Sequence, residues 1–361
     1  MDKGNERRAY LLSLLVSIVT ALLLGAGIMA LTGSNPLDGY GALVNGALGS
    51  REGLGNTLYK AAQLCITGLA TAVASQGGIF NVGGEGQMYL GALASAWLAV
   101  VLANFSPWAA IPLCLLIAMA AGAVYALIPA LMKVRLGINE VITTILMNTI
   151  AIKFCTYMAT GPLKTTERGV SQGTRAISKA FRFDSLIPGS NLTETVFFVA
   201  AASLLVWYLM QRTSVGYGMK LTGQNSRFAR FSGLPADKLA VGGMLISGAM
   251  CGLLGMMEIF GLQKRFKTDF SNEFYFDGML VAMIMRYRPL GIVLMSFFFA
   301  VLKIGAITMQ SRTGISSELI QLVESVIIFF VAAEEGVLQR FRARRAAKAL
   351  SLSAVGKEGD A

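Results

Sequence analysis

Long apolar runs restrict the folds open to this chain more than any other feature of its sequence. Of the 361 residues, 55% are hydrophobic, 14% are charged and none is histidine. A soluble domain of this length would carry far more charge, so we predict an all-α integral membrane protein. Ten runs are long or nearly long enough to cross a bilayer: 9–31, 57–76, 86–104, 108–132, 137–159, 195–211, 239–260, 275–286, 289–309 and 318–333.

The two ends of the chain predict its orientation. The run 9–31 follows three basic residues, which is also the order of a secretory signal, but it is longer than a signal core of about 7 to 15 residues. We therefore expect a retained first span. Basic residues at both ends place both termini in the cytoplasm, with an even number of crossings, about ten. Residues 1–340 form the predicted membrane domain and 341–361 a basic cytoplasmic tail.

Several classes of function are disfavoured by the composition. The formal charge of +11 lies mainly at segment ends and in the tail, so we predict no nucleic-acid partner. The four cysteines lie in apolar runs without metal-site spacing, so no metal site is expected. Asp269, Glu273 and Asp277 are four residues apart but lack a partner His or Cys, so we predict no catalytic residues. No Walker pattern occurs, so ATP would have to be bound by another chain.

A glycine-rich polar segment, GGIFNVGGEGQ at residues 77–87, interrupts the first half of the chain. Irregular backbone at membrane depth survives only where protein or water satisfies its amides. We therefore predict a solute path in which Asn81, Glu85 and Gln87 form hydrogen bonds and Phe80 provides a stacking or gating face. The alternative is that the glycines permit close helix packing and that Glu85 caps the helix that follows.

A second polar cluster, GINEVITTILMN, occupies residues 137–148. Asn139 opens the cluster, while Thr144 and Asn148 share one helical face at four-residue spacing. Contact with solute would place all three on the predicted path. Hydrogen bonding between neighbouring helices, without any solute, explains the same residues equally well.

Four isolated charges lie within other predicted spans: Lys153, Glu258, Lys303 and Glu324. Lys153 and Glu258 are close to predicted outer ends, where extension of the side chain to the lipid headgroups is the simplest explanation. Lys303 and Glu324 could form a pair across adjacent helices. A proton relay is less favoured, because dense intramembrane acids and histidines are missing from the sequence.

The two halves of the chain resemble each other weakly. A helix rich in small residues precedes the segment 77–87, and another, 247–255, precedes a polar stretch and the sequence FYFDGM. Each half thus breaks its apolar run near a Phe and an acid followed by Gly. This pattern predicts inverted repeats whose interrupted helices meet near the bilayer midplane. Phe276 and Asp277, at the second break, are therefore added to the predicted path.

Residues 212–238, here called the basic connector, separate two apolar runs and carry five Lys or Arg beside one acid. This bias predicts that the connector faces the cytoplasm and that 161–194, which has more acids, faces outward. Residues 224–232 can form a short amphipathic helix to which a cytoplasmic partner would bind. A solvated loop held inside by its charges is the alternative.

These segments together resemble the permease subunits of ABC importers of the simple-sugar, branched-chain amino acid and nucleoside type, and most of all the nucleoside branch served by a basic-membrane-protein type of lipoprotein. The resemblance rests on GIFNVGGEGQ (78–87), GINEVITTILMN (137–148), GQNSRFARFSG (223–233) and FDGMLVA (276–282). The chain departs from that pattern at Phe228, where such permeases commonly have a small residue, and at 285–288, MRYR, where a glycine-containing turn before the proline is usual.

The resemblance implies partners and a cytoplasmic coupling helix. The expected ATPase contacts are Gly223, Asn225, Arg227, Phe228, Ala229 and Gly233. ABC ATPase subunits would bind ATP and Mg²⁺, so no cofactor is expected in this chain. A second permease subunit, a substrate-binding lipoprotein outside the cell and membrane lipid complete the expected assembly in the bacterial cytoplasmic membrane.

The hypothesis is an importer permease for a neutral polar solute. Asn, Gln, Thr and aromatic groups suit a nucleoside, whereas an anion would be expected to need Arg or Lys on its path. A simple sugar such as ribose is the close alternative. An ion-coupled secondary transporter and a scaffold that transports nothing are the rival classes.

Overall fold

The computed structural model describes residues 3–31, 33–167, 172–271, 273–316, 318–323, 325–327 and 329, without the side chains of residues 3–14. Helices dominate this part of the chain, in which β-structure is limited to isolated bridges. The α-helices are α1 (Lys3–Leu31), α2 (Pro36–Leu48), α3 (Arg51–Gln76), α4 (Gly84–Val101), α5 (Pro107–Leu136), α6 (Glu140–Thr160), α7 (Thr195–Arg212), α8 (Ser214–Gln224), α9 (Ser226–Phe231), α10 (Ala236–Met257), α11 (Phe274–Ile284) and α12 (Pro289–Thr313). A 3₁₀ turn covers Lys179–Phe181, and a π-helical turn, Glu258–Gln263, extends α10.

Each predicted apolar run from 9–31 to 289–309 overlaps one of these helices, and 318–333 lies partly outside the described residues. Within the described chain, five helices are long and apolar enough to cross a membrane: Pro107–Leu136, Glu140–Thr160, Thr195–Arg212, Ala236–Gln263 and Pro289–Thr313. The all-helical membrane class is therefore confirmed. The count of about ten crossings stays a prediction. Helices α3 and α4, for example, carry polar residues that lower their hydropathy, so they are not among these five.

The chain divides into two compact units. One contains the described residues up to Leu43 and from Ala306 onward, and in it the Tyr40 hydroxyl donates to Leu22 O at 2.7 Å. The other, Val44–Gly305, contains α3 to α11 and all of the predicted site residues. The tail predicted at 341–361 lies outside the described residues.

Polar caps set the starts of the helices that frame the site. The Asn139 side chain accepts from Val141 N at 2.9 Å at the start of α6, and that of Asn225 accepts from Phe228 N at 2.9 Å at the start of α9. Gly137, at φ +68°, ends α5 in the left-handed region, which glycine adopts without steric cost. These caps explain why two polar motifs of the sequence lie at helix ends rather than within spans.

Helix α10 is the centre of the larger unit, where it packs against α3, α4 and α5. Glycines permit this: a side chain at Gly252 would overlap the backbone of α5 at Ala118, and one at Gly91 would overlap Gly252 itself. Because lipid is as apolar as the helices, such close backbone packing is a main source of their association.

Helices α3 and α10 run antiparallel. Gly77, at the end of α3, lies against Leu239 and Gly243 near the start of α10. Towards the other end, Gln63 in the middle of α3 donates to Glu258, just past the last residue of α10. The irregular segments that follow these two helices, 77–83 and 264–273, therefore leave from opposite ends of the bundle. This is the arrangement that the weak internal repeat predicts.

Candidate functional site

The two irregular segments, here called the inner break (77–83) and the outer break (264–273), meet through Tyr275. The Tyr275 hydroxyl donates to Asn81 O at 2.6 Å and accepts from Thr71 Oγ1 at 3.1 Å. Its backbone N–H donates to Glu85 Oε2 at 3.1 Å, and its ring fills the space beside Gly84, where any Cβ would overlap it. Tyr275 is fully buried. One side chain of α11 therefore connects both halves of the chain at the predicted path.

Asn81 is the centre of a sealed polar cluster. Its Nδ2 donates to Gln87 Oε1 and to Ser247 Oγ, each at 2.9 Å. Its Oδ1 accepts from Gly83 N at 2.9 Å. Asn81, Gln87 and Ser247 are each at most 1% exposed. The structure thus brings the predicted residues together, with their hydrogen-bonding groups directed at one another.

Two residues of α6 hold the inner break in place. The Asn148 side chain accepts from Gly86 N at 2.7 Å and donates to Val82 O at 2.8 Å. Thr144 Oγ1 accepts from Val82 N at 3.3 Å. Both side chains satisfy backbone groups that a regular helix would have satisfied, which is the role of hydrogen bonding between helices. Asn139 lies apart from this cluster, exposed at the start of α6.

Glu85 links the starts of two helices. It lies in the first turn of α4, but its carboxylate accepts from Tyr275 N at the start of α11 and from the hydroxyl of Ser271 in the outer break. The alternative that Glu85 meets the positive end of the following helix stays open, because the residue lies in the first turn of α4 and its carboxylate also serves α11. The acid meets the positive end of a helix from the other half of the chain.

Glu258 does not extend to the membrane surface, and the sequence-based expectation is wrong here. The side chain is fully buried, and its Oε1 accepts from Tyr59 at 2.7 Å and from Gln63 Nε2 at 2.5 Å. It faces α3, and α10 continues into a π-helical turn that begins at this residue. Such turns are rare and often lie at functional sites. Lys153, by contrast, is exposed.

The remaining predicted path residues are less enclosed. Phe80, Phe276 and Asp277 are each partly buried. Lys303 Nζ lies 3.0 Å from Asp277 Oδ1, so its partner within the described chain is an acid of α11. Glu324, the partner predicted for Lys303, lies outside the described residues.

The basic connector approaches the inner break at Gly223, near the end of α8. A Cβ on Gly223 would lie 2.6 Å from Gln76 O, and a Cβ on Gly78 would lie 3.5 Å from Gly223 Cα, in ordinary van der Waals contact. Gln76 Nε2 also donates to Tyr287 O at 2.6 Å. Both Arg286 and Tyr287 adopt positive φ, 50° and 58°, which fits the predicted need for glycine in this turn.

The predicted short helix of the connector is confirmed as α9. Ala229 is its buried residue, while Arg227 and Phe228 are exposed. Phe231 is 92% exposed. Gly233 follows with φ +80°. An apolar and basic surface therefore faces away from the bundle on this short helix. The preceding α8, which the sequence did not predict, joins this helix to the inner break.

Sequence reasoning missed the hydroxyl groups that complete the site, since neither Tyr275, Ser247 nor Thr71 was predicted. The available signal was weak: Tyr275 is adjacent to the predicted Phe276, and Ser247 and Thr71 are polar residues in helices rich in small residues. Their positions in apolar runs gave no indication of which helix they would contact.

Comparison with known proteins places the chain in a family. The family model described as "Branched-chain amino acid transport system / permease component" matches residues 53–332. The chain belongs to this family. As a member of this permease family, it is a multi-pass membrane protein and a transport component rather than an enzyme.

Three relatives of this permease cover nearly all of it. The nucleoside ABC transporter permease protein NupB of Lactococcus lactis is 32% identical over 96% of this chain and 98% of its own length. The guanosine ABC transporter permease protein NupP of Bacillus subtilis is 31% identical over 92% and 96%. The glucose ABC transporter permease protein TsgB13 of Haloferax volcanii is 29% identical over 91% and 88%. No solved structure matches the chain.

Proposed function

We propose that this permease carries a nucleoside inward across a bacterial cytoplasmic membrane, driven by ATP hydrolysis in partner subunits. The observation that carries the proposal is the meeting of the two breaks at Tyr275, because interrupted helices that enter from opposite ends form solute paths in transporters. Two relatives whose names specify nucleoside or guanosine transport support the choice of solute.

The proposed assembly has four kinds of component. ABC ATPase subunits bind ATP and Mg²⁺ and contact α9 through the exposed Phe228 and Arg227. A second permease subunit, identical or homologous, completes the path, and a lipoprotein outside the membrane delivers the solute. Both termini and the basic connector face the cytoplasm.

The close approach of Gly223 to Gln76, at the residue before the inner break, supports a simple route for coupling. Movement of α9 displaces α8, and the end of α8 is separated from the start of the inner break by too little space for a side chain on Gly223. Such a movement shifts Asn81 relative to Tyr275, and so opens or closes the sealed cluster. The ligand that biases this two-state change is ATP, bound in another chain.

Uptake of radiolabelled nucleoside into proteoliposomes tests the solute and the energy source together. Transport should require the ATPase, the lipoprotein and internal ATP, and excess ribose should not compete. Uptake by the purified permease alone, abolished by an ionophore, would instead establish a secondary transporter. Competition by ribose or glucose would establish the sugar alternative, which the similarity to the glucose permease favours.

Cysteine labelling tests the orientation. The four native cysteines are buried, so background labelling should be low. A cysteine at Ser226 or Ser232 should react with an impermeant maleimide only after the cells are opened, because both positions are exposed on the connector. Lys179→Cys, in the segment predicted outside, is the matched control and should react in intact cells. The reverse pattern would exclude a cytoplasmic ATPase at α9.

A further inference from the structure

An apolar groove of about 300 Å³ opens on the surface of the larger unit, between α3, α7 and α12. Leu69 of α3 lies among its lining residues, with Leu204 and Trp207 of α7 and Leu290 and Val293 of α12. Leu204, Leu290 and Val293 are 66%, 68% and 44% exposed. The groove is therefore open along one side, and its form suits a flexible hydrocarbon chain.

The groove lies just below one surface of the membrane. Helix α7 has 18 residues, about 27 Å, so it needs its whole length to cross a hydrocarbon core about 30 Å thick. Its last residue, Arg212, is therefore at the membrane surface, and Trp207 lies about 7.5 Å along the helix from it. Val293 lies about 6 Å from Pro289, where α12 begins. Tryptophan is enriched at this level of a bilayer.

Two basic side chains lie at this end of the groove. The Arg212 guanidinium carbon is 5.6 Å from the centroid of the Trp207 ring, within cation–π distance. Lys220 of α8 lies beside it, since its Nζ is 3.3 Å from Oε1 of Gln211. We call Arg212 and Lys220 the basic rim. An apolar wall thus continues directly into positive charge at the membrane surface.

The segments that form the walls and the rim carry no acid of their own. Asp and Glu are missing from the sequence in 53–84, 195–236 and 278–317. The one acid of the basic connector, Asp237, forms an ion pair with Arg230 at 2.6 Å. The charge around the groove therefore favours an anion.

We propose that the groove binds one anionic phospholipid from the leaflet on the connector side. An acyl chain lies along Leu204 and Val293, and the lipid phosphate accepts hydrogen bonds from Arg212 and Lys220. Because Lys220 belongs to α8, the bound lipid also holds the connector against the membrane surface. This inference goes beyond the proposed function and does not depend on which solute is carried.

The charge favours a lipid over a second permease in this groove. Two copies that met through the same face would bring their basic rims together, which like charges oppose. A groove of about 300 Å³ is at the small end of ligand pockets and holds part of one chain. A zwitterionic lipid has the same phosphate but adds a cation that the rim repels, so the groove prefers a lipid with net negative charge.

Tryptophan fluorescence tests the proposal, because the chain has three tryptophans. Trp97 and Trp108 are 47% and 91% exposed, so Trp97→Phe with Trp108→Phe should leave Trp207 as the reporter in a folded permease. The full-length protein is placed in phosphatidylcholine nanodiscs that contain increasing fractions of a lipid with brominated chains, which quench tryptophan on contact. Half-quenching should need at least about fivefold less brominated phosphatidylglycerol than brominated phosphatidylcholine, the effect of one basic side chain near anionic lipid.

Variants in this reporter background separate the rim from the groove. Arg212→Gln with Lys220→Gln should bring the ratio of the two lipids close to one, because the rim loses its charge. Val293→Phe should do the same, because the added ring occupies the groove and displaces the chain. Arg135→Gln with Lys238→Gln removes two exposed charges outside the groove and is the matched control, which should keep the ratio.

Equal half-quenching by the two lipids in the reporter protein would overturn the inference. So would a preference that survives either the rim variant or Val293→Phe, and an equal loss of preference in the control would show only diffuse attraction to a basic protein. Emission from Trp207 that neither lipid quenches would show that protein covers the groove. If the rim variant does not accumulate, the reporter protein and Val293→Phe decide. The uptake experiment tests the proposed function separately, since the fluorescence requires no transport.

Discussion

The inner and outer breaks solve the same physical problem by different means. Both interrupt runs of helix and leave backbone amides without helical partners, which is costly where water is excluded. In the inner break, polar side chains satisfy the backbone: those of Asn81, Thr144 and Asn148. In the outer break, another segment of the chain satisfies it, since Thr174 N donates to Phe266 O at 2.9 Å and Thr174 Oγ1 accepts from Phe266 N at 3.1 Å.

Their packing differs as well. The outer break is filled by aromatic rings, with the centroids of Tyr89 and Phe270 4.6 Å apart and those of Phe266 and Phe270 5.6 Å apart. The inner break is lined by glycines and contacts the connector. We infer that the outer break is a fixed plug stabilised by apolar burial. The inner break is the part that a cytoplasmic partner can move.

The largest effect that this contrast predicts is at Asn81. Asn81→Ala would leave Gln87, Ser247 and the amide of Gly83 buried without their partner, at about 1 to 3 kcal/mol for each group. We expect uptake per molecule in the membrane to be abolished. Asn191→Ala, at an exposed loop residue, is the control and should transport normally. Near-normal uptake by Asn81→Ala would show that the cluster is not part of the path.

The sequence predicted the inner break well because its signal is local. Five glycines with Asn81, Glu85 and Gln87 occupy one short segment, and Thr144 and Asn148 share a helical face. Its partners could not be predicted in the same way, because Ser247 and Tyr275 are distant in sequence and lie within apolar runs. The choice between neighbouring helices depends on glycine contacts such as that of Gly91 with Gly252, which exist only in the folded chain.

The second prediction concerns the aromatic packing of the outer break. Phe266 is fully buried, so Phe266→Ala should lower the free energy of unfolding by about 3 to 5 kcal/mol. Thermal unfolding of the purified permease measures this loss. Uptake per folded molecule should change much less, because the inner break is untouched. Phe231→Ala, at a side chain 92% exposed, should leave the unfolding temperature unchanged. Equal unfolding temperatures for both variants would refute the inference that apolar burial fixes the outer break in place.

Glu258 shows where sequence reasoning about the outer end did not suffice. The end of an apolar run allows a carboxylate to reach the headgroups or to turn inward, and hydropathy is the same in both cases. The π-helical turn at Glu258–Gln263 and the partners Tyr59 and Gln63 decide the matter. Helix α8 was missed for a similar reason, since its glycines and polar residues favour a loop until they pack against α3 and α10.

The smallest predicted effect tests the link between the connector and the inner break. Gly223→Ala would place a Cβ 2.6 Å from Gln76 O, and such overpacking costs about 1 to 3 kcal/mol. Because the strain falls between α8 and the inner break, we expect ATP hydrolysis by the assembled transporter to continue. The number of solute molecules moved per ATP should fall by at least about fivefold, the effect of roughly 1 kcal/mol on a conformational equilibrium.

The matched control is Gly242→Ala in α10, where a Cβ would meet only the end of Met219 at 3.8 Å. This variant should keep the wild-type ratio of uptake to hydrolysis, so a general effect of replacing glycine can be recognised. A parallel loss of uptake and hydrolysis in Gly223→Ala would show that the glycine serves assembly with the ATPase. An unchanged ratio would show that motion does not reach the inner break through Gly223. The inferred difference between a fixed outer break and an inner break moved by the connector would then lose its support.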